Sequence, residues 1–83
     1  MSMIKRFYEA ETISVMFYSN ARVRKMECKR NDNGSYTEGF ETIDGRGNVL
    51  ERTTFKHPVT IQEVEKSCNH ICEFYEVISI HIE

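Results

Sequence analysis

Residues 11–19, ETISVMFYS, alternate strictly between two sides. Ile13, Val15 and Phe17 point one way, and Thr12, Ser14, Met16 and Tyr18 the other. A period of two is the signature of a half-buried strand. Asn20-Ala21 makes a short turn into a second strand, residues 22–30, RVRKMECKR, in which Met26 and Cys28 share a side with Arg22, Arg24 and Arg30. Asn31-Asp32-Asn33-Gly34 is the strongest turn signal, since Asn and Gly tolerate the positive φ of tight hairpins. A third strand follows from Ser35 to Ile43, with Tyr36 and Phe40 on one face. Asp44-Gly45-Arg46-Gly47-Asn48 turns the chain again into a fourth strand, Val49 to Phe55. Four strands joined by short turns predict an antiparallel meander. Residues 3–8, MIKRFY, read as a further short strand or an early start of the first.

The period then changes. Pro58 stops the fourth strand because it cannot donate to a ladder. Thr60-Ile61-Gln62-Glu63 has the form of a capping box, with Val59 and Val64 placed as a hydrophobic staple. From there Ile61, Val64, Cys68, Ile71, Cys72 and Tyr75 fall in one stripe about 100° wide, the mark of a core-facing helix. Phe74 lies off that stripe, as a packing flank or a contact point. Residues 77–82, VISIHI, alternate and carry four β-branched aliphatics, which predicts a helix to about Glu73 followed by a final strand. A helix continuing to the terminus is the competing reading, and its heptad stripe would make a dimer seam.

The expected fold class is therefore α+β, an antiparallel sheet of four to five strands with one amphipathic helix, about 60–73, on one face. The expected core is Ile13, Val15, Phe17, Phe40, Val49, Phe55, Ile61, Val64, Cys68, Ile71, Cys72, Ile78 and Ile80. At 83 residues this is one domain, and a chain of this size buries only about 60–65% of its unfolded surface. So small a core gains from a second subunit, so homodimerisation is an expectation too.

Charge divides the chain. Residues 1–56 hold ten of the eleven Lys and Arg against eight acids; residues 57–83 hold only Lys66 against five. The basic strand, with Arg22, Arg24, Lys25, Lys29 and Arg30, is a candidate for phosphate contact, which needs clustered cations and exposed aromatics. The competing reading is an edge or solvent-facing strand whose charges block unwanted pairing. None of the common RNA-binding signatures accompanies it.

The five residues CNHIC, 68–72, suggest metal or redox chemistry at first sight. On a helix, however, Cys68 and Cys72 face one way and His70 lies about 200° around the axis. The trio cannot converge on one ion, so the two cysteines are expected in the core and His70 in water. An odd count of three cysteines argues against a disulfide framework. DGRGN and NDNG resemble phosphate and calcium loops only in part, because the first leads into a strand and the second lacks the ligand register. His57, His70 and His81 have no flanking pattern that selects a nucleophile. The expectation is a non-enzymatic domain with no metal and no cofactor.

Lys5 and Arg6 resemble a charged leader, but Glu9 and Glu11 interrupt the apolar stretch that should follow. The longest apolar run, Val15 to Tyr18, falls far short of a membrane span. A cytoplasmic protein without membrane contact is expected. In size and architecture the chain is similar to small phage proteins, anti-CRISPR proteins among them, that block host enzymes. That likeness implies a small protein-binding inhibitor or regulator acting on a host or partner protein. Its expected contacts are Glu63, Glu73 and Glu76 on the acidic helix face, with Phe74 and His70, or else an open sheet edge that adds to a partner's sheet. Nucleic-acid or nucleotide binding through the basic strand is the alternative.

Overall fold

The computed structural model describes residues 3–83, with side chains described from Arg6 onward. Elements run in the order α1 (Met3–Tyr8), β1 (Thr12–Ser19), β2 (Arg22–Arg30), β3 (Tyr36–Ile43), β4 (Val49–Thr54), α2 (Ile61–Phe74) and β5 (Glu76–Ile82). The five strands form one sheet in the order β4-β3-β2-β1-β5, antiparallel at each junction. This is the α+β architecture that the periodicity predicts, meander included.

Each turn follows its local chemistry. Asn20 and Ala21 adopt φ of 53° and 61°, the pair of positive angles that a two-residue hairpin needs. At the next turn the Gly34 amide donates to the Asn31 carbonyl at 3.0 Å, with Gly34 at φ 86°. Asp44 closes the third by accepting from the Arg46 and Asn48 amides, both at 2.9 Å. The helix begins as its capping box dictates. The Thr60 hydroxyl accepts from the Glu63 amide at 3.1 Å, and the Glu63 carboxylate accepts from the Thr60 amide at 3.2 Å. The helix stops at Phe74, and β5 pairs with β1, so the chain does not continue helically to its end.

The core lies between α2 and the middle of the sheet. Ile13, Val15 and Phe17 from β1 meet Met26 and Cys28 from β2, Tyr36 from β3, and Val64 and Ile71 from α2. Phe40, Ile61 and Cys68 pack around them, half-buried.

Four expectations need correction. First, residues 3–8 are helical, not a strand. Their apolar positions 3, 4, 7 and 8 recur at helical rather than alternating spacing, and in a segment of under two turns that spacing is easily misread. Second, Val49, Phe55, Ile78 and Ile80 belong to the exposed surface, not the core. Five strands about 4.8 Å apart make a face about 20 Å across, while one helix covers about 10 Å of it. Both edge strands are covered only in part: Val77 and Ile82 of β5 still touch the core, while Val49, Ile78 and Ile80 stay exposed. Third, Cys72 is exposed although it lies on the inward stripe, because α2 shields the sheet along Val64 and Ile71 and opens toward β5. Fourth, the basic strand β2 is the central strand of five, not an edge.

Candidate functional site

The predicted contact residues sort into two places along α2. At its end, the His70 and Phe74 rings lie 4.7 Å apart, and Tyr75 lies 6.3 Å from the same imidazole. Phe74 is 64% exposed, the most exposed of the large apolar side chains among the described residues. Helical spacing explains the cluster, since His70 and Phe74 are four apart and share one side. Glu73, exposed, precedes Phe74 in the helix, whereas Glu76, also exposed, already belongs to β5, where it pairs with Tyr18 on the face away from α2. Tyr75 also ties the patch to the core, with its ring 5.1 Å from that of Phe17. Glu63 stands apart. Ten residues earlier, it is about 15 Å away along the axis and its carboxylate is spent on the capping box. The structure thus unites His70 and Phe74, with Glu73 next to Phe74 in the helix, and adds Tyr75; it leaves Glu63 out, and it places Glu76 opposite Tyr18, on the sheet face away from α2.

The five basic residues of β2 do not converge. Strand alternation sends Arg22, Arg24 and Arg30 to the helix side and Lys25 and Lys29 to the opposite face. Lys25 and Lys29 flank Glu27 at 3.0 and 3.7 Å. Burial works against the Glu27 charge, but the two ammonium groups outweigh it and hold its carboxyl below the usual range. Arg30 pairs with Glu11 at 3.8 Å, and the Arg24 guanidinium sits 5.4 Å from the Phe40 ring centre. Arg22 is exposed beside the β1–β2 turn. The cations are dispersed over two faces, most of them next to acids or a ring.

CNHIC divides as helical geometry requires, though only partly as expected. Cys68 is half-buried, and His70 faces water. Cys72 lines an apolar cleft of about 270 Å³ between α2, α1 and β5, together with Phe7, Tyr8, Cys68, Ile80 and Ile82. Burial, with the neighbouring Cys72 next, pushes the Cys68 thiol up to about 11. Cys28 is fully buried, and burial followed by the Glu38 carboxylate pushes its thiol up to about 12. Among the described residues there is no group of three His, Cys, Asp or Glu side chains placed to hold a metal ion.

One residue escaped the sequence reading. Glu38 is 3% exposed, lies beneath α2, and accepts a long contact of 4.0 Å from the Cys28 thiol. Burial raises its carboxyl above the ordinary value of 4.5; Ser67 partly offsets this, and the Glu63 charge adds to it. The available signal was parity, since Glu38 falls between Tyr36 and Phe40 on the inward row.

Comparison with protein-family models, with curated proteins and with solved structures finds no match for this chain. No helix among the described residues is long and apolar enough to cross a membrane.

Proposed function

We propose that this chain is a small non-enzymatic protein-binding domain, an inhibitor or regulator that acts by occluding a partner protein. The observation that carries this reading is the Phe74 ring, held outward at the end of α2 against His70, with the exposed Glu73 beside it in the helix. Leaving a phenylalanine in water forgoes about 1.5–3 kcal/mol that covering it would return. Aromatic anchors within a charged rim are the usual composition of an interface hot spot. The Glu73 carboxylate favours a partner surface that is basic around an apolar pocket. Free cysteines, one of them exposed, suit a reducing compartment such as the cytoplasm.

The dispersed cations of β2 support nucleic-acid binding less well, because a phosphate track needs several of them on one surface. The experiment that separates the two readings is paired charge reversal. Glu73→Lys with Glu76→Lys abolishes partner capture if the helix end is the interface. Arg22→Glu with Arg24→Glu abolishes it if the ligand is a nucleic acid.

A further inference from the structure

The outer edge of β5 has a defined hydrogen-bonding polarity. The Thr12 and Glu83 backbones bond each other in both directions, Glu83 amide to Thr12 carbonyl at 3.0 Å and Thr12 amide to Glu83 carbonyl at 3.4 Å. In an antiparallel ladder such mutually bonded pairs alternate with unbonded ones. Ser14–His81 and Met16–Ser79 are then bonded pairs, whereas Ile13–Ile82 and Val15–Ile80 are not. The amides and carbonyls of Ile80 and Ile82 therefore point away from β1, toward the open edge. Arg6 corroborates this, since its guanidinium reaches the Ile82 carbonyl at 3.2 Å.

That edge is guarded only by a bulge at Ile78, between the Met16–Ser79 and Phe17–Val77 pairs, and by the Arg6 contact at Ile82. Edge strands are normally guarded by charges or proline. β4, at the other end of the sheet, carries Glu51 and Arg52, but β5 offers four uncharged residues, Val77-Ile78-Ser79-Ile80, with Ile78 and Ile80 at 44% and 52% exposure. We infer that β5 pairs with β5 of a second copy of this chain, antiparallel about a two-fold axis at Ile80, joining two five-stranded sheets into one.

The register selects the second copy as occupant. Centred on Ile80, the pairing sets Ile80 against Ile80, Ile82 against Ile78 of the second copy, and Ser79 against His81. Over Ile78 to Ile82 isoleucine meets isoleucine and no like charges are opposed, with Val77 facing Glu83 at the margin, and Ile80, whose polar groups point outward, forms the doubly bonded pair. Shifting by two residues sets His81 against His81 in one direction and Glu76 against Ile82 in the other. Shifting by one sets an outward-pointing residue against an inward-pointing one, which forfeits the bonds. A two-fold contact also closes on itself, where β5 adding to β4 would propagate into a fibre. Arg6 has to leave the Ile82 carbonyl for the second copy to take it. This inference concerns the sheet edge and stands apart from the partner surface at the end of α2.

Solution mass by light scattering, with oxidative cross-linking, tests it. The full chain at sub-millimolar concentration should weigh twice its 9.8 kDa, and Ile80→Lys should halve that mass with an unchanged far-UV spectrum. In a Cys72→Ser background, Ile80→Cys should form a covalent dimer on mild oxidation, because its Cα atoms would lie about 5.5 Å apart. Ser79→Cys, facing His81 of the second copy, should not. A monomeric wild-type chain overturns the inference. So does a dimer that survives Ile80→Lys, or one cross-linked by Ser79→Cys but not by Ile80→Cys. If Ile80→Lys fails to fold, the cross-linking pair decides by itself.

Discussion

The Tyr36 hydroxyl donates a 2.6 Å hydrogen bond to the Ala10 carbonyl, 26 residues away in sequence and buried beside the core. It ties the segment that follows α1 to the first residue of β3, and Tyr36 is itself bridged to Val59 ahead of α2. One residue, through its hydroxyl and its backbone, thus holds three separate stretches of chain. Tyr36→Phe leaves the Ala10 carbonyl without its partner, at a cost of about 1–3 kcal/mol. A lower urea midpoint, with faster amide exchange confined first to the residues before β1, is the expected outcome.

Ala21 occupies the left-handed region at φ 61°. An L-residue there costs about 1–2 kcal/mol, part of which glycine recovers against its greater freedom when unfolded. Ala21→Gly should therefore stabilise the chain by about 0.5–1 kcal/mol, read as a higher urea midpoint with an unchanged slope.

Glu38 couples stability to pH. Its carboxyl holds a proton more tightly folded than unfolded, so between 4.5 and its raised value the folded state binds the larger share of protons. Stability contributed by this group is then full below 4.5, falls as pH rises through that window, and stays lower above it. Glu38→Gln keeps the shape without the charge. It should raise the thermal midpoint at neutral pH and lose that advantage below pH 4.5.

The three thiols should separate by reactivity. Cys72 is exposed, whereas Cys28 and Cys68 are shielded and held near 12 and 11. The thiolate is the reacting form. A thiol reagent at neutral pH should modify Cys72 quickly, the half-buried Cys68 more slowly and Cys28 only on unfolding, with peptide mapping to assign the sites. Rapid modification of Cys28 in folded protein would contradict the packing described here.

Periodicity made most of this fold legible. Alternation in β1, the capping box at Thr60 and the stripe through Val64 and Ile71 each state a local rule that the tertiary structure obeys. What periodicity lacks is strand order. Ile80 and Val49 alternate as well as Ile13 does, but their strands lie at the sheet edges, beyond the width of one helix. The same gap hid Met26 and Cys28, since nothing local marks an arginine-rich strand as the central one. Within the candidate site, the grouping of His70, Glu73 and Phe74 was readable from helical spacing. The loss of Glu63 to its own cap followed from the same motif that announced the helix. Tyr75 joins the patch because the chain leaves the helix there, a change of direction that no glycine or proline advertises.

The central claim is that the exposed end of α2 is the working surface. Phe74→Ala touches little of the fold, so stability should stay within about 0.5 kcal/mol, which makes it a clean probe. The direct measurement is a photo-cross-linking residue at position 74 in host cells, compared with one at position 22, and read by mass spectrometry and by nucleic-acid staining. The account predicts one recurrent protein adduct at position 74, lost when Glu73 and Glu76 are both changed to lysine, and no nucleic-acid adduct at position 22. A nucleic-acid adduct at position 22, with none of protein at position 74, would contradict it.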